Sequence, residues 1–521
     1  MHKRLTTLDS SFLRVESESA HMHVAWVGLL DVDSARERPA LAALRAKVGA
    51  RMQHLPRFRQ RLAFPPLRMG EPFWVDDPDF DVAEHVTTLT RPDESISPAR
   101  FRALADAVLS EPLDRDRPLW HIYMVPRLDD GRAGLVCKLH HAMVDGKSAV
   151  EVALLLFDST PDAEPEAPDA WSPSVPPTGA RLAVDTVMAE ATESLRAVRG
   201  IARAAGPGGA SSLAGTLRRA ALAVEKDLLR PAPPSHLNVP IGPRRTLVAH
   251  VARMSDVKAA RAGTSATVND VCLAAVGGAL RELALSAVTP PRPLKVMVPV
   301  SVRDDGERQA LGNRISFAFI DLPLHLRSPR ARLEWVVEAT AEFKRSRRAA
   351  GTELVMGALS ALPELLKDQA ARLVASPRTY NLTVSNIPGP PDPVYMLGAR
   401  LAEAYPVVPL ADGHALSIGI FGYTGRLHFG IYADPDALPG VARLPTALEA
   451  EILSLAGASR RRVREARVHG PAAGDRVATG GSRRPASRPA RDRTHKPARR
   501  RVDQTGRNLG QRAKDPPPPG A

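Results

Sequence analysis

Cysteine is nearly missing: the 521 residues hold two, Cys137 and Cys272. Two thiols cannot build a disulfide framework or a cysteine-based zinc site, and both read as small buried hydrophobes in a cytosolic protein with reduced thiols. Apolar runs of the ~20 residues that a membrane-spanning helix needs are missing too. The start, Met1-His-Lys-Arg-Leu-Thr-Thr-Leu-Asp9, lacks an apolar signal core. Charge is missing where the composition suggests it. The chain carries +14 in total, but 18 basic and 5 acidic residues in 460–521 supply +13, which leaves +1 for 1–459. A neutral body offers no basic docking face for a phosphate backbone, so no specific nucleic-acid partner is expected.

What is present divides the chain in four. Residues 1–157 form a first half. Gly134-Leu-Val-Cys-Lys-Leu-His-His reads as a strand that delivers two histidines to its carboxyl end, followed by a helix over 147–157. Residues 158–240 form a connector. Six prolines between Asp158 and Pro177 forbid a helix there. Apolar residues at helical spacing then predict one helix near 182–198 and another near 213–228. A second half, 241–457, opens with a strand at 245–253. A helix follows from Thr267, whose spacing to Asp270 is a capping signal, with further strands at 294–302, 314–322, 380–386, 415–422 and 426–433. From 458 the chain is rich in Arg, Pro, Ala and Gly and reads as a disordered basic tail. Strands interspersed with long helices in both halves predict a mixed α/β fold.

The most informative string is His140-His141-Ala142-Met143-Val144-Asp145-Gly146. Neighbouring residues of a strand point to opposite faces, so the two imidazoles have different jobs. One faces a cleft, where an imidazole serves as a general base near neutral pH; the other packs behind it. Asp145 is placed to hold a loop or an arginine, with Arg303 a candidate partner, and Gly146 permits a sharp turn or a close substrate. Taken bare, such a pair is more often structural than catalytic, and a metal site is a third reading, although adjacent strand histidines chelate poorly. His21 and His23 share a face, but no carboxylate spacing completes a site with them.

The string matches the His-His-x-x-x-Asp-Gly signature of coenzyme-A-dependent acyltransferases related to chloramphenicol acetyltransferase. Other strings resemble the bacterial wax ester synthase/diacylglycerol acyltransferase family: Leu8-Asp9, Phe12-Leu13, Glu16, His21-Met-His-Val24, Pro118-Leu119-Trp120 and Leu237 to Arg245. Asn269-Asp270, Val298 to Arg303, Leu311 to Ser316 and Ser385-Asn386-Ile-Pro-Gly389 continue the resemblance in the same order.

That resemblance implies two chloramphenicol acetyltransferase-like subdomains with a tunnel between them, entered by acyl-CoA and by the acceptor alcohol from opposite mouths. It implies His141 as general base, with His140, Asp145 and Gly146 completing the motif. Asn269, at the start of the capped helix, is either an oxyanion donor or a support of the turn. Trp120, Glu16 and Asp270 enter as substrate-binding residues, Trp120 either lining the acyl channel or buried beneath the site. No G-x-S-x-G elbow surrounds Ser148 or Cys137, which favours direct transfer without an acyl-enzyme. Acyl-CoA is then a co-substrate, with no cofactor and no metal. The acceptor is diacylglycerol or a fatty alcohol, and the apolar stripes of the connector helices suit peripheral association with the inner membrane face or lipid droplets. The alternatives are a related transferase acting on another lipid alcohol, a non-catalytic lipid binder, and a metal hydrolase.

Overall fold

The run Gly134-Leu-Val-Cys-Lys-Leu forms the buried middle of a sheet. In the computed structural model, Ala133–His140 is buried along its whole length and pairs antiparallel with His23–Asp31 on one side and Trp120–Val125 on the other. The structure describes residues 3–35, 38–144, 146–168, 170–204, 230–286, 291–301, 315–346 and 364–468. Asp145, Arg303, the helix expected at 213–228 and the chain after Val468 lie outside them.

Among the described residues the first sheet has six strands, in the order Tyr395–Met396, Ala399–Val407, His23–Asp31, Ala133–His140, Trp120–Val125 and Val86–Thr88. A second six-stranded sheet runs Ile315–Leu322, Leu294–Ser301, Leu382–Pro388, Leu416–Tyr423, Arg426–Ala433 and Thr246–Arg253. The expected mixed α/β architecture is present, and each strand expected in the second half appears within two residues of its expected bounds.

The second half lends a strand to the first sheet. Ala399–Val407 comes from the second half in sequence but adds to the first sheet, with Arg400 opposite Asp31 and Val407 opposite Ala25. Pro406 sits in this strand opposite Trp26. There the strand has a sheet partner on one side only, so the missing N–H of proline is tolerated. Pro406 also abuts the second sheet at Gly419 and Gly430, a cross-strand pair. A Cβ on Gly419 would stand 2.8 Å from the proline ring, and one on Gly430 would run into its carbonyl oxygen. Only glycine allows the two sheets to approach there.

The proline-rich segment is less a linker than a strap over the first half. The Asp158 carboxylate accepts from Lys47 Nζ at 2.6 and 2.7 Å and from Arg51 at 2.9 Å, and its backbone exchanges hydrogen bonds with Tyr395. Glu166 pairs with Arg51, and Arg59 lies over the Trp171 ring at 4.9 Å. A helix, Gly179–Ala204, follows as the spacing predicts. The body also ends later than 457: Leu444–Val468 is one helix, with Leu455 and Ala456 buried and the buried Ser459 hydroxyl donating to the Ala260 carbonyl at 2.7 Å. Composition hid it, because Gly457 and the arginines that follow resemble a tail.

Candidate active site

The strand Ala133–His140 ends at the two histidines, and a tight turn follows. The Met143 N–H donates to the His140 carbonyl at 2.9 Å, and the His141 N–H donates to the Met22 carbonyl at 2.8 Å. Alternation then separates the rings as expected. His141 continues the face of Leu139 and Val24, and all three line one large apolar cavity. Its ring lies flat on Phe12, with centroids 3.8 Å apart and planes 8° apart. Phe12 is held by the helix Thr7–Val15, whose start is fixed by a reciprocal capping box between Thr6 and Asp9.

His140 is 1% exposed and faces the other way. Its Nδ1 accepts from the Ala142 N–H at 3.0 Å, so the ring hydrogen belongs on Nε2. Nε2 stands 3.5 Å from Glu16 Oε1. Glu16 also pairs with Arg115 and accepts from the Met22 N–H at 3.2 Å. Burial disfavours the charged form of Glu16, but the His140 ring and the Arg115 guanidinium outweigh it and hold its pKa at about 2. Glu16 does not line the cavity; it braces the histidine turn from behind. That corrects its expected place among the substrate-binding residues.

Two further expectations change. Trp120 is 2% exposed, donates through its indole N–H to the Phe58 carbonyl at 2.7 Å and stacks on His85 at 4.6 Å. It sits across the strand pair from Leu139 and is not among the described residues that line the cavity, so of its two expected places it takes the buried one. Asp270 is buried as a cap: its carboxylate accepts from the Thr267 N–H and hydroxyl at 2.8 Å and from the Thr340 hydroxyl at 2.8 Å. These hydrogen bonds satisfy the start of the helix, which has no intrahelical partners of its own.

Asn269 lies in that capping turn, half-buried, and its Oδ1 accepts from Asn386 Nδ2 at 3.3 Å. Asn386 belongs to the strand Leu382–Pro388, whose alternate residues Thr383, Ser385 and Ile387 line the cavity. The two asparagines therefore tie the capped helix to the back of the cavity wall. Gly146 opens the helix Gly146–Leu156, which contributes Ala153 and Leu154 to the lining, joined by Phe157 just beyond it.

The remaining wall is hydrocarbon apart from a few groups. Arg14 and Lys367 line it on one side, and both are bound by Glu71, at 2.8 and 3.5 Å. His21 and His23 share the face of His140; burial, with Lys138 nearby, pushes His23 well below the usual imidazole range. Burial also pushes up the thiols of Cys137 and Cys272, the latter to about 12, so neither is a ready nucleophile. Among the described residues no group of three His, Cys, Asp or Glu side chains is placed to hold a metal ion. Sequence reasoning missed Phe12 as the ring under His141; its signal was its place in the family string beside Leu13.

Comparison with known proteins agrees with this geometry. Residues 5–272 match the wax ester synthase/diacylglycerol acyltransferase catalytic domain, and residues 311–456 match the WS/DGAT C-terminal domain. The chain is 32% identical over 467 residues to a Mycobacterium tuberculosis protein named probable diacylglycerol O-acyltransferase tgs1, covering 88% of this chain and 96% of that one. It is 32% identical over 457 residues to tgs2 of the same organism, named in the same way, covering 86% and 97%. The solved wax ester synthase/diacylglycerol acyltransferase from Marinobacter aquaeolei VT8 superposes with a TM-score of 0.61 at 24% identity, covering 88% of this chain and all of that one. A condensation domain of the calcium-dependent antibiotic synthetase shares the fold at a TM-score of 0.57 and 18% identity, covering 88% of this chain and 96% of that one. The chain belongs to the wax ester synthase/diacylglycerol acyltransferase family.

Proposed function

We propose that this chain is an O-acyltransferase that moves a long acyl group from acyl-CoA to diacylglycerol, giving triacylglycerol, and that long-chain fatty alcohols are further acceptors. The observation that carries the reading is the His141 imidazole, set against Phe12 and opening into an apolar cavity. In this reading His141 takes the hydroxyl proton as the acceptor oxygen attacks the thioester carbonyl. A hydroxyl is far too weak an acid to ionise first, so the base acts during attack. The new C–O bond forms, the C–S bond breaks, and His141 returns the proton to the departing thiolate. Acyl-CoA is a co-substrate, and the steps need no resident cofactor. Gly146 opens the helix that follows the turn carrying the base. Asn269, bonded to Asn386 behind the cavity wall, is a positioning residue.

The test is product analysis with purified protein, acyl-CoA and an equal mixture of diacylglycerol and hexadecanol, with His141→Ala beside it. Triacylglycerol is expected from the wild type and almost none from the variant. Equal turnover by both would remove His141 as the base, and wax ester alone would reassign the acceptor.

The same reading places the enzyme at a lipid surface on the cytoplasmic side. Among the described residues no helix is long and apolar enough to cross a membrane, so attachment would be peripheral. Along Gly179–Ala204, Leu182 and Thr186 are buried against the body while Val184, Val187 and Met188 are 57%, 61% and 58% exposed. Leu67 and Met69 are exposed on the loop beside them, where a Cβ on Gly70 would stand 2.7 Å from Thr186. The next residue, Glu71, binds the cavity-lining Arg14 and Lys367, so this apolar patch adjoins the cavity. Val187→Glu with Met188→Glu is expected to reduce co-sedimentation with anionic vesicles severalfold while activity on a detergent-dispersed acceptor persists. Unchanged sedimentation would remove the patch from the proposal.

A further inference from the structure

The lining of the cavity continues from His141 along the first sheet, a stretch termed the arm. The strand His23–Asp31 supplies Val24 and Trp26 to its wall, and Ala399–Val407 supplies Leu401 and Ala404. Register gives the distances. His23 lies opposite His140, and Trp26 is three residues further along, about 10 Å away. Ala404 lies opposite Gly28 and Leu401 opposite Leu30, deeper still.

At this depth the arm meets a wall of rings. The Trp26 indole folds along its own strand over Gly28: a Cβ on Gly28 would stand 2.5 Å from indole Cζ3, 3.1 Å from Cε3 and 3.5 Å from Leu401 Cδ1. Glycine is the residue that leaves room for the ring to lie there. Phe157 meets the indole from the other side, with centroids 5.8 Å apart and planes tilted by 45°. Leu401 and Phe421 line the same cavity. Among the described residues no charged side chain lines this end of the cavity, so a nucleotide or a glycerol backbone would lose its hydrogen bonds there without replacement. A hydrocarbon chain loses none.

We propose that this arm takes one saturated alkyl tail and that Trp26, seated over Gly28 and backed by Phe157, is the end stop that sets the preferred tail length. The inference rests on the acyl-transfer reading, since it needs the reacting carbonyl or hydroxyl at His141 and the terminal methyl at the indole. Each methylene that finds a place in the arm gains about fourfold in apparent affinity, and one beyond the stop gains nothing and clashes.

The experiment measures kcat/KM with the full chain over two panels. The first is saturated acyl-CoAs from octanoyl to docosanoyl with one diacylglycerol; the second is primary alcohols of the same lengths with palmitoyl-CoA. Trp26→Ala removes the stop and is expected to move the optimum to longer chains by several carbons, with Trp26→Phe moving it less. Ala404→Phe fills the arm at the level of Gly28 and is expected to move it to shorter chains, with at least tenfold loss on the longest. The changes run in opposite directions, so either decides the matter if the other fails to fold. A shift confined to the acyl-CoA panel identifies the tail as the donor's, and one confined to the alcohols identifies it as the acceptor's. Active variants with unshifted optima in both panels would overturn the end stop. A wild-type protein without transfer in either panel would instead sink the acyl-transfer reading on which it rests.

Discussion

The two faces of the histidine strand differ in what they do with an imidazole. On the cavity face, Leu139 and Val24 are followed by one nitrogen base, His141, stacked on Phe12 and open to the cavity. On the other face His140, His23 and Lys138 lie together on the two paired strands, and all are buried. Lys138 gives its hydrogens to the Val108 and Glu111 carbonyls, and burial brings its pKa down to about 8. Burial likewise lowers His23, favouring its uncharged form. One sheet thus separates a cavity-facing imidazole from a buried one by a shift of one residue. The motif needs two adjacent histidines because a strand cannot present the same residue to both sides.

The comparison breaks most visibly at the histidines themselves. His141→Ala is expected to cost roughly 10²–10⁴-fold in kcat with a smaller loss of folding stability than His140→Ala, since its ring stands at a cavity wall. His140→Ala is expected to do the reverse. It leaves the Ala142 N–H without an acceptor in a buried turn and opens a void, for a loss of about 2–4 kcal/mol. Activity should fall in step with the folded fraction. Urea melts beside steady-state kinetics separate the two, and a His140 variant that folds normally but loses kcat as deeply as the His141 variant would end the division of roles.

Glu16 sharpens the comparison through pH. Its folded pKa of about 2 lies below the usual carboxylate value of 4.5, so the native state binds the proton less readily than the unfolded chain does. The stability contributed is fully present above about 4.5 and disappears as pH falls toward 2, with a magnitude on the order of 2–3 kcal/mol for this mostly buried group. Glu16→Gln should flatten that part of the stability profile between pH 4.5 and 2, measured by denaturant melts. A profile identical to the wild type would show that the carboxylate does not brace His140.

Much of this was legible because it depends on local periodicity. The buried strand, the opposed histidines and the Thr267–Asp270 cap each follow from residues within four positions of one another. What was hidden joins residues far apart. Glu16 reaches His140 across 124 positions, and Ala399–Val407 reaches His23–Asp31 across most of the chain; no local pattern in Ala-Arg-Leu-Ala-Glu-Ala-Tyr-Pro-Val names its partner sheet. Trp26 could not be read as a wall from sequence either. Its position depends on Gly28 beneath the ring and on Phe157 just beyond a later helix, which the fold alone brings together.

Trp120 and Trp26 extend the contrast to tryptophans, with the smallest expected effect. Both belong to the first sheet, but Trp120 is enclosed by Phe58, Phe80 and His85, whereas Trp26 lines the cavity. Trp120→Phe keeps an aromatic ring and removes the indole N–H that the Phe58 carbonyl accepts. The expected cost is about 1–2 kcal/mol of stability from the lost hydrogen bond and volume, read as a shift in the denaturation midpoint at unchanged slope. The acyl-length profile should stay that of the wild type, because this ring is buried in the core and is not among the described residues that line the cavity. If Trp120→Phe moved the length optimum instead, the cavity would extend beneath the sheet, and the division between lining and core drawn from the two tryptophans would be wrong.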